Sequence, residues 1–258
     1  MNDYKKYLTE ILLDLKENHC AIGVKADFED EGTSLEELAV LKNISENANL
    51  NLSVKIGGCG ALNDIKESYE IGAKTIVAPM IESSYAVKKY INTIDMVFSE
   101  REKKDTKFLI NIETPNGLKN IDEILNSESA KCLDGIVLGR TDLTESMALN
   151  PYDVDSDTIL KIATDIALKI KEHGKEFIIG GGVSPISVKF FNKLGSNLDK
   201  YETRKIIFDS KSIYTGRAEE GIIKALKFEQ MWINNKNSIT TNDMERIKII
   251  ESRMSCLS

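Results

Sequence analysis

"FLINIETPNGLKNIDEIL", residues 108–125, joins two kinds of structure at a single carboxylate. Phe108, Leu109, Ile110 and Ile112 suit a strand covered on both faces. After Pro115 the apolar residues space out as in an amphipathic helix. Glu113 stands at the junction, where an acid ending an apolar strand is costly to desolvate. Period-two alternation puts Leu109, Asn111 and Glu113 on one face, and Phe108, Ile110 and Ile112 on the other. Glu113 is therefore at the C-terminal tip of its strand, the rim where parallel α/β folds place their sites.

The same strand–loop–helix unit repeats along the chain. Strands are predicted over residues 20–28, 52–58, 75–81, 107–113, 135–141, 176–183 and 205–209. Helices alternate with them, one opened by the capping box Ser34-x-x-Glu37, others following Asn63, Ser84, Pro115 and Ser156. Such alternation means a parallel α/β fold, either a doubly wound sheet or a (β/α)8 barrel. Seven strands are one short of a barrel, so counting alone leaves both open. The most loop-like interval is "GSNLDKYETRK" (195–205).

At 258 residues, 41% hydrophobic and 29% charged, the chain can bury a substantial core. A net charge of −7 argues against a nucleic-acid partner, whose phosphates need a basic footprint. No run approaches the roughly 18 apolar residues of a membrane span. The N-terminus reads as an amphipathic helix without signal-peptide features, and Cys20, Cys59, Cys132 and Cys256 are scattered without CxxC spacing. These features predict a cytoplasmic protein with reduced thiols.

The next strand also ends in an acid, Asp142 in "LGRTDLTESM". Carboxylates on neighbouring strand tips can hold one divalent cation, and two hard ligands that leave room for water and substrate suit Mg²⁺ or Mn²⁺. Alternatively, Asp142 caps the following helix and Glu113 bonds backbone amides. Lys25, Asp27 and Glu29 form an alternating polar row, and Lys55 precedes a glycine pair. "GGGVS" (180–184) is either an anion cradle or a tight strand–helix turn. Arg204 precedes a strand, which suits pairing with an acid. His19 and His173 precede strands and so lie at the wrong rim, leaving a Ser–His–Asp or Cys–His mechanism without its base.

In order, "TIVAPMIES" (75–83), "INIETPNGLKNIDEIL" (110–125) and "LDGIVLGRTDLTESM" (133–147) resemble the signature blocks of the 4-hydroxy-2-oxoheptanedioate aldolase and citrate lyase β-subunit family. The resemblance is clearest over roughly residues 50–145. It implies a (β/α)8 TIM barrel, here with an extra C-terminal helix, and a metal-dependent carbon–carbon lyase acting on a 2-oxo acid or acyl substrate through an enolate. Carried over, the metal ligands are Glu113 and Asp142, and substrate-binding backbone amides fall at Gly139, Arg140, Thr141 and Asp142. The family's enolate-holding arginine falls on Lys55, which keeps the charge but loses the fork. Where family aldolases carry an Asp–Gly–Glu–His loop, this chain has "ADFED", with no histidine. Catalytic roles are therefore expected of Lys55, Lys25 and Glu29, with Schiff-base chemistry at Lys55 or Lys25 a competing route. Phosphoenolpyruvate-type C–P or C–O chemistry and a non-catalytic binding barrel are the alternatives.

Residues 1–234 are expected to form the barrel, and 235–258 a polar hinge followed by an amphipathic helix. Met244, Ile247, Ile250 and Met254 are spaced for one face of that helix. A helix this short is marginal alone, and the resembled family exchanges C-terminal segments within trimers and hexamers. A homo-oligomer is expected for that reason.

Overall fold

The structure, a computed structural model, describes residues 3–236 and 238–255. Eight strands close into a barrel in chain order. They are β1 (Ala21–Asp27), β2 (Asn51–Lys55), β3 (Thr75–Ala78), β4 (Lys107–Ile112), β5 (Gly135–Gly139), β6 (Glu176–Gly180), β7 (Lys200–Glu202) and β8 (Ile206–Asp209). The wall is built from α1 (Asp3–His19), α2 (Leu35–Asn47), α3 (Leu62–Glu70), α4 (Ser84–Asp95), α5 (Pro115–Lys119) and α6 (Ile121–Asn126). It continues with α7 (Arg140–Ser146), α8 (Asp157–Glu172), α9 (Ser187–Leu194), α10 (Lys211–Tyr214) and α11 (Ala218–Asn234). The C-terminal helix is α12 (Thr241–Ser255).

Local chemistry starts these helices where the sequence places them. The Ser34 hydroxyl accepts from the Glu37 N–H at 3.2 Å while the Glu37 carboxylate accepts from the Ser34 N–H at 2.8 Å, a reciprocal cap worth about 1 kcal/mol. Thr114 caps α5 by accepting from the Gly117 N–H, with Pro115 in the first turn. The single helix predicted after Pro115 is broken at Asn120 into α5 and α6. Phe108, Ile110 and Ile112 face the helices as part of the main core, while Leu109 joins Val77, Val137 and Ile178 inside the barrel. The alternation read from residues 108–113 therefore holds, and Glu113 points inward at the upper rim.

Two features depart from the sequence expectation. The interval 195–205, read as loop, contains β7, and the strand that follows runs backwards. β8 pairs antiparallel with both β7 and β1. A tight hairpin at 203–205 makes the turn, with the Ile206 N–H donating to the Thr203 hydroxyl at 3.1 Å. β8 thus ends at the lower rim, and α11 starts there, its Gly221 packed on His19 at the foot of α1. α11 climbs the wall, brings Trp232 under the Lys205 ammonium at 5.4 Å, and delivers α12 to the upper rim.

α12 docks on α11 of its own chain, largely through charge. Arg246 donates two hydrogen bonds to the fully buried Glu229, at 2.5 and 2.9 Å. Of the expected apolar face, Ile250 is fully buried, Ile247 and Met254 pack at its edge, and Met244 is exposed. Burying one isoleucine contributes only about 2 kcal/mol, so the ion pair sets the position. Removing Arg246 would strand a buried carboxylate, which costs about 3–5 kcal/mol. Arg246→Ala should therefore abolish hydrogen-exchange protection of α12, read by mass spectrometry, while the barrel strands keep theirs.

Candidate active site

The strand tips of the upper rim enclose a cavity of about 290 Å³. Lys25, Lys55, Asn111, Glu113, Gly139, Thr141, Asp142 and Glu202 line its barrel side, and Arg246 and Arg253 of α12 its roof.

Glu113 is almost wholly buried. Its carboxylate accepts from the Met80 N–H at 2.8 Å and from the Asn111 amide at 3.0 Å. Met80 adopts φ +50°, a left-handed conformation rare for a side chain of this kind, and that turn directs its N–H at the acid. Across the gap, a Cβ on Gly139 would come within 2.9 Å of Glu113 Cβ and closer still to its Oε2. Only glycine at the end of β5 leaves room for the carboxylate.

Asp142, in the first turn of α7, lies within hydrogen-bonding reach of Glu113. Burial pushes the Glu113 carboxyl up to about 7, the Asp142 charge adds to this, and the Met80 N–H, Lys55 and Asn111 oppose it. Burial likewise raises Asp142, with Asp30 contributing. Asn111 Oδ1 is buried beside this pair without a hydrogen-bond partner among the described residues. Two facing carboxyls that resist ionisation together, with an orphaned amide oxygen next to them, are a donor set suited to a hard divalent cation.

Lys55 is enclosed differently from a free rim lysine. Its ammonium lies 3.3 Å from Asp27, 2.8 Å from Glu29 and 2.8 Å from Asp30. Asp27 shapes this loop by accepting from the Glu29 and Asp30 N–H groups at 2.8 and 3.0 Å. Burial works against the ammonium, but Asp27, Asp30 and Glu29 more than offset it and hold it well above the ordinary lysine range. The three acids could themselves hold a metal ion, yet the ammonium already occupies their centre. Lys25 is ion-paired with Glu202 inside the barrel, and Glu202 and Asp27 keep it protonated against its burial. Neither lysine has the depressed pKa that Schiff-base formation needs.

The remaining expected residues divide. Gly139, Thr141 and Asp142 line the cavity, but Arg140 turns away from it. The Arg140 guanidinium is fully buried, donates to the Gly180 and Val154 carbonyls at 3.2 Å, pairs with Asp155, and stacks 4.8 Å from the Phe190 ring. Only its backbone remains near the site. Glu29 reaches Lys55 without lining the cavity, whereas Asp30, one residue on, lines it. Gly181 and Gly182 take positive φ, and a Cβ on Gly181 would come within 2.6 Å of the Arg140 N. The glycine run is thus a close backbone crossing that also borders the cavity. His19 bonds the Arg217 carbonyl and His173 the Lys169 carbonyl, away from the cavity. Cys20, Cys59 and Cys132 are free thiols, and Cys256 lies outside the described residues.

Residues 49–179 match the family model of the HpcH/HpaI aldolase/citrate lyase family. Solved structures share the fold. They include an HpcH/HpaI aldolase from Desulfitobacterium hafniense DCB-2, 12% identical, with 85% of this chain and 88% of that chain covered and a TM-score of 0.60. The citrate synthase SbnG is 20% identical over 85% of this chain and 89% of its own, at a TM-score of 0.59. A family protein from Burkholderia cenocepacia J2315 is 13% identical over 85% of this chain and 99% of its own, at 0.57. No curated protein sequence matches the chain. The protein belongs to the HpcH/HpaI aldolase/citrate lyase family, and its chemistry is that of a carbon–carbon lyase. Among the described residues, no helix is long and apolar enough to cross a membrane.

The raised Glu113 pKa has a consequence for stability. Between its ordinary value near 4.5 and about 7, the folded protein holds a proton that the unfolded chain releases. Metal-free stability should therefore fall as pH rises through that window, by at most about 1.4 kcal/mol per pH unit. Thermal melts from pH 5 to 7.5 should show the decline, and Glu113→Gln should flatten it.

Proposed function

We propose that the protein is a divalent-metal-dependent aldolase or lyase that cleaves or forms a carbon–carbon bond through the enolate of a 2-oxo acid. The facing Glu113 and Asp142 carboxyls in the rim cavity carry this reading. They would hold Mg²⁺ or Mn²⁺, which when bound supplies Lewis-acid polarisation of the keto and carboxylate oxygens. Asn111 Oδ1 is placed to orient a water or substrate hydroxyl beside them.

The substrate carboxylate is assigned to the backbone amides around Gly139, Thr141 and Asp142, which border the cavity. Lys55 contributes a fixed positive charge for the enolate oxygen, and its carboxylate cage replaces the histidine this chain lacks. Within the cage, Asp30 lines the cavity; burial raises its pKa, but Lys55 outweighs this and keeps it ionised. Asp30 would take the proton of the 4-hydroxyl as the C3–C4 bond breaks, and return it to the enolate carbon. Lys25 and Glu202 support the floor as a neutralised pair.

Residues 1–234 form the catalytic barrel in this reading, 235–258 the appended hinge and helix, and the assembly is a trimer or hexamer, which light scattering can test. Glu113→Gln should abolish metal-dependent turnover while the protein stays folded, and calorimetry should show the loss of Mg²⁺ binding. Lys55→Arg should retain part of the activity and Lys55→Met lose most of it, by roughly 100-fold or more. Borohydride with substrate should trap no adduct. Mg²⁺ binding without turnover of any 2-oxo acid would point instead to a binding role.

A further inference from the structure

The roof of the cavity carries the opposite charge from its metal-binding side. Arg204 reaches it from the β7–β8 hairpin, and Arg246 and Arg253 from α12. These arginines are not equally satisfied. Arg246 is taken up by Glu229 through two hydrogen bonds. Arg204 shares Glu31 with Lys205 and stands 3.7 Å from it. Arg253 makes no hydrogen bond or ion pair among the described residues, although its side chain is largely shielded from water. Burial, then Arg246, Arg140 and Arg204, draw its pKa down to about 10, with only Glu229 opposing. The charges acting most on Glu113 are instead Lys55 and Asp142. The acid that α12 adds to the cavity lining, Glu245, is exposed at its mouth.

A guanidinium among other arginines, at the wall of a substrate cavity, has no anion paired with it among the described residues. Its planar fork suits a carboxylate or a phosphate. Resting on the aldolase reading, we infer that Arg253, with Arg204 beside it, forms a subsite for a terminal oxyanion of the second substrate. The enolate partner binds at Glu113 and Asp142, and the acceptor aldehyde presents its anionic end to α12. The helix is then a determinant of acceptor choice as well as a cover.

Aldol addition of pyruvate to aldehydes of equal length, ending in a carboxylate, a phosphate or a methyl group, tests this on the full-length protein. The wild type should favour an anionic acceptor by roughly tenfold or more in kcat/KM, and the better anion identifies the ligand. Arg253→Gln should remove most of that preference through KM, and Arg253→Lys should keep part of it. Calorimetric titration with succinate and with inorganic phosphate reads the subsite without turnover, and Arg253→Gln should weaken the tighter ligand by a similar factor. Unchanged preference and unchanged titration in a folded Arg253→Gln protein would overturn the subsite. Failure of the wild type to exchange the methyl protons of pyruvate with solvent would overturn the aldolase reading instead, and the titrations would still decide the subsite.

Discussion

Two carboxylates held face to face away from water require a positive charge or a shared proton between them, and the upper rim is organised around that requirement. Glu113 could have been relieved by turning outward, but it is held inward on three sides. The Met80 N–H fixes one oxygen from a strained turn, and Asn111 fixes the other. Gly139 removes the side chain that would otherwise fill its place. The cost of desolvating this acid is retained in the folded state as a carboxyl that holds its proton well above the ordinary range.

The second constraint is the burial of a lysine, Lys55, at the rim. A lysine cannot form a bidentate fork, and a compact ammonium is more strongly hydrated than a guanidinium. Here the lost hydration is replaced by Asp27, Glu29 and Asp30. Such a buried array gives modest net stability because desolvation offsets most of the attraction. Its effect is positional: a positive charge stands at one point of the rim, with an ionised carboxylate attached to it. That arrangement sets a fixed cation and an ionised carboxylate side by side at the cavity.

Period-two patterning made the inward row of β4 legible, and with it Glu113, since a strand of six residues alternates unambiguously. The rim positions of Lys55 and Asp142 were legible, Lys55 because it ends β2 and Asp142 because it follows the end of β5 by three residues. β7 was not, because "KYE" is too short to show a period and two of its three side chains are charged. Those charges, Lys200 and Glu202, face Glu176 and Lys25, partners that lie on other strands. The direction of the Arg140 side chain was equally hidden, since the aromatic pair it stacks on is some fifty positions away. The placing of α12 depended on Glu229, a buried acid in a helix whose pattern reads as ordinary wall. Ionic docking leaves no periodic trace.

The reversal of β8 bears on how this mouth can be governed. Because the last wall helix climbs instead of descending, α12 is tethered beside the cavity by the few residues between Asn234 and Thr241. A tether that short gives an effective concentration on the order of millimolar, so closure of the mouth is independent of how dilute the protein is. It also separates two kinds of inheritance. On the function proposed above, the barrel rim carries the chemistry, while α12 carries a surface that touches only what enters. Substitutions in the tail can redraw the range of accepted molecules while the barrel that supports the reaction stays as it is.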